Sequence, residues 1–224
     1  MALRKPEMVL LDVDGTLVDT APDLAYAIDR MLQEIGLPVC GEKKVRAWIG
    51  SGIEQLVKRA LTDDFTGKPE NGLYEKAFPL FLDIYADNAC KRSRIYNGVS
   101  EGLNYLKEND FKLGCVTNKR ARFTNTLLKT LGIFDDFGIV ISGDTLSKKK
   151  PDPMPLLHAA RFFKVKPEAA LMVGDSKTDV SAARAAGFQI IGVTYGYNLG
   201  EDIRRANPDA VVDSLAELPG LLNA

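Results

Sequence analysis

Two rhythms of apolar residues alternate along the chain. Short apolar runs at 8–13, 112–117, 138–142, 170–174 and 189–194, with a weaker one at 210–212, lack the strict polar alternation of a half-exposed strand. Such runs suit parallel strands covered on both faces. Stretches with apolar residues three and four apart, at 98–109, 120–131, 153–164 and 177–186, fill the gaps and predict helices. From residue 98 onward strand and helix therefore alternate. That is the pattern of an α/β fold with a doubly wound, mostly parallel, Rossmann-like sheet.

Residues 18–92 break this pattern. Leu24, Ile28, Met31, Leu32 and Ile35 form one apolar stripe within 23–36, and 51–61 and 71–89 also read as helices. No convincing strand lies among these 75 residues. A βα connection ordinarily takes about 2–6 residues. The excess predicts a separate α-helical module at 18–92, inserted after the first strand of an α/β core made of 1–17 and 93–224.

Composition narrows the class. The 46% of hydrophobic residues can bury a sizeable core, and 29 basic against 30 acidic residues leave a net charge of −1. That balance argues against the basic face of a nucleic-acid binder. No apolar run reaches the length of a membrane span, and the apolar stretch near the N-terminus is too short for a secretory signal. Cys40, Cys90 and Cys115 are odd in number and widely spaced, as expected of reduced thiols. The expectation is a cytoplasmic protein that binds neither nucleic acid nor membrane, with monomer and homodimer both open.

In an open parallel sheet, ligands bind beyond the carboxyl ends of the strands. The first run ends in Asp12-Val-Asp14-Gly15-Thr16, the second in Thr117-Asn118-Lys119, and the fourth in Gly174-Asp175-Ser176 with Asp179 one turn on. Lys150 stands before Pro151 in "SKKKPDP". Each stretch has an ordinary reading: Asx and Gly are good turn formers, and Asp175 could cap the next helix. All four at one rim are harder to explain as turns. Alternatives fare poorly: His158 is the only histidine, no G-x-S-x-G or G-x-x-x-x-G-K-[ST] occurs, and a Ca²⁺ loop around Gly15 would lack its acids.

Clustered carboxylates repel one another and call for a cation. Oxygen ligands without His or thiolate suit Mg²⁺, which shares its coordination with substrate phosphate. With Mg²⁺ and Lys150 present, Asp12 could attack phosphorus, and Asp14, held protonated by neighbouring negative charge, could serve as general acid and base. Lys150, Thr117 and backbone amides near Gly15 and Asn118 would spread over the transferring oxygens of a small phosphate ester.

"DVDGT", "TNK", "KKPDP" and "GDSKTD" resemble, in order, the four motifs of the haloacid dehalogenase superfamily of phosphatases. The resemblance implies that Asp12 is nucleophile and metal ligand and that Asp14 is the acid/base and lends its carbonyl to the metal. It further implies that Thr117 and Lys150 bind phosphate, that Asp175 is the third protein ligand with Asp179 in support, and that the helical insert is a cap. "DGTLVDTAPDLAYAIDRML", "VRAWIGSG", "GDTLSKKKPDP" and "TYGYNLGEDI" extend the likeness over nearly the whole chain, to the branch that hydrolyses 2-phosphoglycolate to glycolate and phosphate. Gly50-Ser51-Gly52, just before a predicted helix, is then expected to close over the substrate carboxylate. Hydrolysis of another small ester such as a sugar phosphate, phosphoglucomutase-like isomerisation, and a catalytically dead binding protein remain open. Asp19 is assigned to the hinge into the cap.

Overall fold

The four apolar residues Met8–Leu11 form β1, buried throughout and flanked on both sides by parallel partners. In the computed structural model, which describes residues 3–222, the other strands of this sheet are β4 (Lys112–Val116), β5 (Ile139–Ile141), β6 (Ala170–Gly174), β7 (Gln189–Val193) and β8 (Ala210–Val212). Their order is β5-β4-β1-β6-β7-β8, all parallel. The sheet is doubly wound, so its topological switch lies at β1.

Alternate residues of β1 enter different cores, as period-two geometry requires. Val9 and Leu11 join Val99, Leu103 and Leu106 of α5 (Val99–Glu108), Leu127 and Leu128 of α6 (Ala121–Thr130), and Leu218 and Leu222 of α9 (Leu218–Leu222). Met8 and Leu10 join Leu156 and Ala159 of α7 (Met154–Phe163) and Val180 and Ala183 of α8 (Lys177–Ala186). Two covered faces explain why the strands are apolar without alternation.

After β1 the chain enters a short antiparallel ribbon. Val18 and Asp19 of β2 (Val18–Asp19) pair with Ile95 and Arg94 of β3 (Arg94–Ile95). Between them run α1 (Ala21–Glu34), α2 (Glu42–Trp48), α3 (Ile53–Thr62) and α4 (Leu73–Asn88). These helices share a third apolar core, to which, among the described buried residues, Phe123 and Tyr197 contribute from outside the insert. The sequence reading missed α2, whose seven residues bury only Val45 and Trp48 and show no repeat. It also placed no strand in 18–92, whereas β2 occupies its first two residues; a two-residue strand carries no periodic signal. Among the described residues no helix is long and apolar enough to cross a membrane.

Asp23, fully buried in the first turn of α1, ties the insert's exit to its return. Its carboxylate accepts from the backbone N–H of Arg92 and Ser93 and from the Ser93 hydroxyl at 2.6 Å. Asp23→Ala, which orphans these buried donors, is predicted to lower stability by about 3 kcal/mol in urea denaturation. A loss under about 0.5 kcal/mol, the size of an ordinary surface substitution, would contradict that account.

Candidate active site

The adjacent strands β1, β4 and β6 end at one rim, and the residues just past them carry the polar groups. The Asp12 N–H continues the β1–β6 ladder to the Val173 carbonyl at 3.1 Å, and the Thr117 N–H reaches the Ile141 carbonyl at 2.9 Å. Past Asp12 the chain coils tightly, the Val13 carbonyl accepting from the N–H groups of Leu17 and Val18 at 3.0 Å. Gly15 sits within this coil at φ +86°, where a Cβ would collide with the Asp175 carboxylate and the Tyr197 ring. Only glycine meets both demands.

Asp12, Asp175 and Asp179 are all buried, and each offers an oxygen within 4.8 Å of the others. Ser176 caps α8, its hydroxyl and N–H both donating to Asp179 Oδ2, which fixes that carboxylate and turns Oδ1 inward. The Lys150 ammonium lies 2.6 Å from Asp179 Oδ1 and 3.0 Å from Asp12 Oδ1 and donates to the Val116 carbonyl at 2.7 Å. At those ion-pair distances neither carboxylate oxygen receives an aligned hydrogen bond. Asp175 accepts from the Thr16 hydroxyl and from the backbone N–H of Tyr197.

Three carboxylates against one ammonium leave two negative charges uncompensated. Burial, reinforced by Asp179 and Asp14, outweighs Lys150 and pushes the Asp12 carboxyl up to about 6. Burial, with repulsion from Asp179 and Asp12, pushes Asp175 up to about 8 against the backbone donors of Tyr197 and Asn198. Burial disfavours the Lys150 charge, but Asp12 and Asp179 more than offset it and hold its pKa above the ordinary lysine value. An all-oxygen donor set, two of its oxygens lacking aligned donors, fits a hard divalent cation.

Asp12, Asp14, Thr117, Asn118, Lys150, Asp175 and Asp179 line one cavity, together with Gly50 and Gly52 of the loop before α3. Ser51 is half-buried and outside that lining, and Gly15 stands behind Asp175. Asn118 spans the two loops, its amide donating to the Lys150 carbonyl at 3.0 Å. The Thr117 hydroxyl accepts from the Lys119 N–H. His158 is half-buried on α7 and not part of the lining.

Lys119, present in the "TNK" stretch but given no role there, belongs to the site. Its buried ammonium lies 3.0 Å from Asp14 Oδ1 and donates to the Tyr85 hydroxyl of α4 at 2.7 Å. Burial works against this charge too, yet Asp14 and Tyr85 keep its pKa raised. The sequence reading expected negative charge beside Asp14; Asp12 supplies it, but Asp14 also has this cation as ion-pair partner, and the Thr20 hydroxyl donates to the same oxygen at 2.6 Å. Thr20 and Tyr85 carried no sequence signal. Asp19 pairs with Arg46 of α2 at 2.9 Å and accepts from the Tyr197 hydroxyl at 2.7 Å, so it joins the exit ribbon to the helical insert.

Residues 9–193 match the family described as haloacid dehalogenase-like hydrolase. The chain is 59% identical over 221 residues to a protein of Nitrosococcus oceani named phosphoglycolate phosphatase, covering 99% of this chain and 98% of that one. It is 49% identical over 214 residues to a Nitrosospira multiformis protein of the same name, covering 96% and 94%. A crystal structure described as a predicted phosphoglycolate phosphatase from Haemophilus somnus superposes with a TM-score of 0.91 at 33% identity, over 98% of this chain and 99% of that one.

The raised carboxyls set a pH dependence. Asp12 and Asp175 bind protons more tightly in the folded chain than at their ordinary value of 3.8. Stability of the metal-free protein should therefore fall as pH rises from about 4 to about 8 and then level off. In EDTA, Tm is predicted to be higher at pH 5.5 than at pH 8, and saturating Mg²⁺ should raise Tm more at pH 8. A metal-free Tm that rises from pH 5.5 to pH 8 would contradict the charge balance.

Proposed function

The chain belongs to the haloacid dehalogenase-like hydrolases, and we propose on that premise that it is a cytoplasmic Mg²⁺-dependent phosphatase converting 2-phosphoglycolate to glycolate and phosphate. The observation that carries the reading is the 59% identity, over 99% of the chain, to a relative named phosphoglycolate phosphatase. Residues 1–17 and 93–224 form the catalytic core in this reading, and 18–92 the cap that covers it.

Asp12, Asp175, Asp179 and the Asp14 carbonyl would hold Mg²⁺. When bound, the ion supplies positive charge against the transferring phosphoryl oxygens. Asp12 attacks phosphorus while Asp14, carrying a proton on Oδ2 with Oδ1 taken by Lys119 and Thr20, gives that proton to the ester oxygen, so the P–O bond breaks and glycolate leaves with a hydroxyl and not as an alkoxide. Asp14 then takes a proton from the water that opens the aspartyl-phosphate, releasing phosphate and restoring both carboxyls. Lys150, buried against Asp12, supplies fixed positive charge where the phosphoryl group arrives. Thr117 and Asn118 line the same cavity and would donate to that group. Gly50 and Gly52, on the loop before α3, bring the cap's backbone into the lining of the same cavity, where with Ser51 they would help close the site over the substrate.

In a Mg²⁺-supplemented screen of small phosphate esters, 2-phosphoglycolate should give the highest kcat/KM. A sugar phosphate that beats it would overturn the assigned substrate. Asp12→Asn should reduce kcat more than about a thousandfold with the fold intact. Asp14→Asn should cost about a hundredfold or more on 2-phosphoglycolate and far less on para-nitrophenyl phosphate, whose leaving group needs no proton. Equal losses on both esters would remove Asp14 from the acid role.

A further inference from the structure

Among the described residues lining the cavity, the cations are Lys119 and Lys150. An ammonium has three N–H donors. Those of Lys150 face Val116, Asp12 and Asp179. Lys119 has two acceptors among the described residues, Asp14 Oδ1 and the Tyr85 hydroxyl, which leaves one N–H. Other cations near the cap–core junction are engaged elsewhere. Arg120 donates through Nε to Glu54 at 3.0 Å, Lys149 lies 3.9 Å from the same carboxylate, and Arg46 pairs with Asp19 and Glu42.

The substrate carries two anionic ends. Its phosphate end would lie in the positive field of Lys150 and of the cation that the carboxylate cluster would hold, so its carboxylate needs a second positive group. Leu24, Ile49, Ile53 and Leu56 form the apolar part of the wall, and Gly50 and Gly52 bring backbone without charge. In 2-phosphoglycolate a single methylene separates the ester oxygen from the carboxylate carbon. Asp14, which protonates that ester oxygen, has Lys119 beside it at 3.0 Å. The two protein groups are thus as closely spaced as the two substrate groups they would serve.

We propose that Lys119, held by Asp14 and Tyr85, is the specificity-determining residue that receives the substrate's carboxylate. The assignment rests on the 2-phosphoglycolate reading above and moves the main carboxylate contact from the glycine loop of the cap to the core loop after β4. It also makes the same ammonium hold Asp14 at the ester oxygen, so a substrate without a carboxylate forgoes one of its two charged anchors.

The test compares 2-phosphoglycolate with 2-hydroxyethyl phosphate, which replaces the carboxylate by a neutral carbinol, in wild type and Lys119→Met. The wild-type preference for 2-phosphoglycolate, as a ratio of kcat/KM values, should fall at least about thirtyfold in the variant. Equal losses on both esters would overturn the proposal and leave Lys119 as a positioning residue for Asp14. A wild type that lacks the preference would instead overturn the substrate reading, and the two failures are thus distinct. Should Lys119→Met not fold, wild type alone decides on the phosphate ester of 3-hydroxypropanoate, whose carboxylate lies one methylene further away. It should be at least about tenfold poorer than 2-phosphoglycolate, and equal turnover would overturn the proposal.

Discussion

Uncompensated negative charge at the end of β1 is the constraint on which the rest of the structure turns. Asp12, Asp175 and Asp179 are buried within one cluster, and Lys150 neutralises only part of their charge. Left alone, such a cluster favours protonation of its members, as the raised Asp12 and Asp175 show. Buried repulsion of this kind persists where the surrounding scaffold enforces it. Here the scaffold is a six-stranded parallel sheet with β1 at its topological switch, buried on both faces.

The enforcement is local and specific. Gly15 lets the first loop pass where a side chain would strike Asp175, and Gly196 does the same from the loop after β7. The Ser176–Asp179 capping box holds one carboxylate oxygen so that the other faces inward. Tyr197 donates its backbone N–H to Asp175 and its hydroxyl to Asp19, linking the cluster to the ribbon through which the chain enters the helical insert. Through Lys119 and Tyr85 the insert is linked a second time, to Asp14. The electrostatics of the core and the placement of the insert are therefore held by shared residues.

Much of this was legible before the structure. Six apolar runs map onto the six parallel strands because both faces of each strand are covered, which leaves a strong contiguous signal. Asp12, Thr117, Lys150 and Asp175 could be found because strand ends and the loops beside them converge in such a sheet. What escaped had no local signature. α2 buries two of seven residues, β2 and β3 are two residues each, and Thr20 and Tyr85 join the site only through tertiary contacts. The charge environment of Asp14 was legible only in part for the same reason: the negative charge of Asp12 does reach it, but Lys119 arrives from 105 residues away.

The central claim is that the Asp12–Asp175–Asp179 cluster exists to hold a divalent cation. Crystals soaked in Mn²⁺, a visible stand-in for Mg²⁺, give the most direct test through an anomalous-difference map. The account predicts one strong peak within coordinating distance of all three carboxylates, lost in Asp175→Asn. No peak there, or one that survives this substitution unchanged, would contradict it.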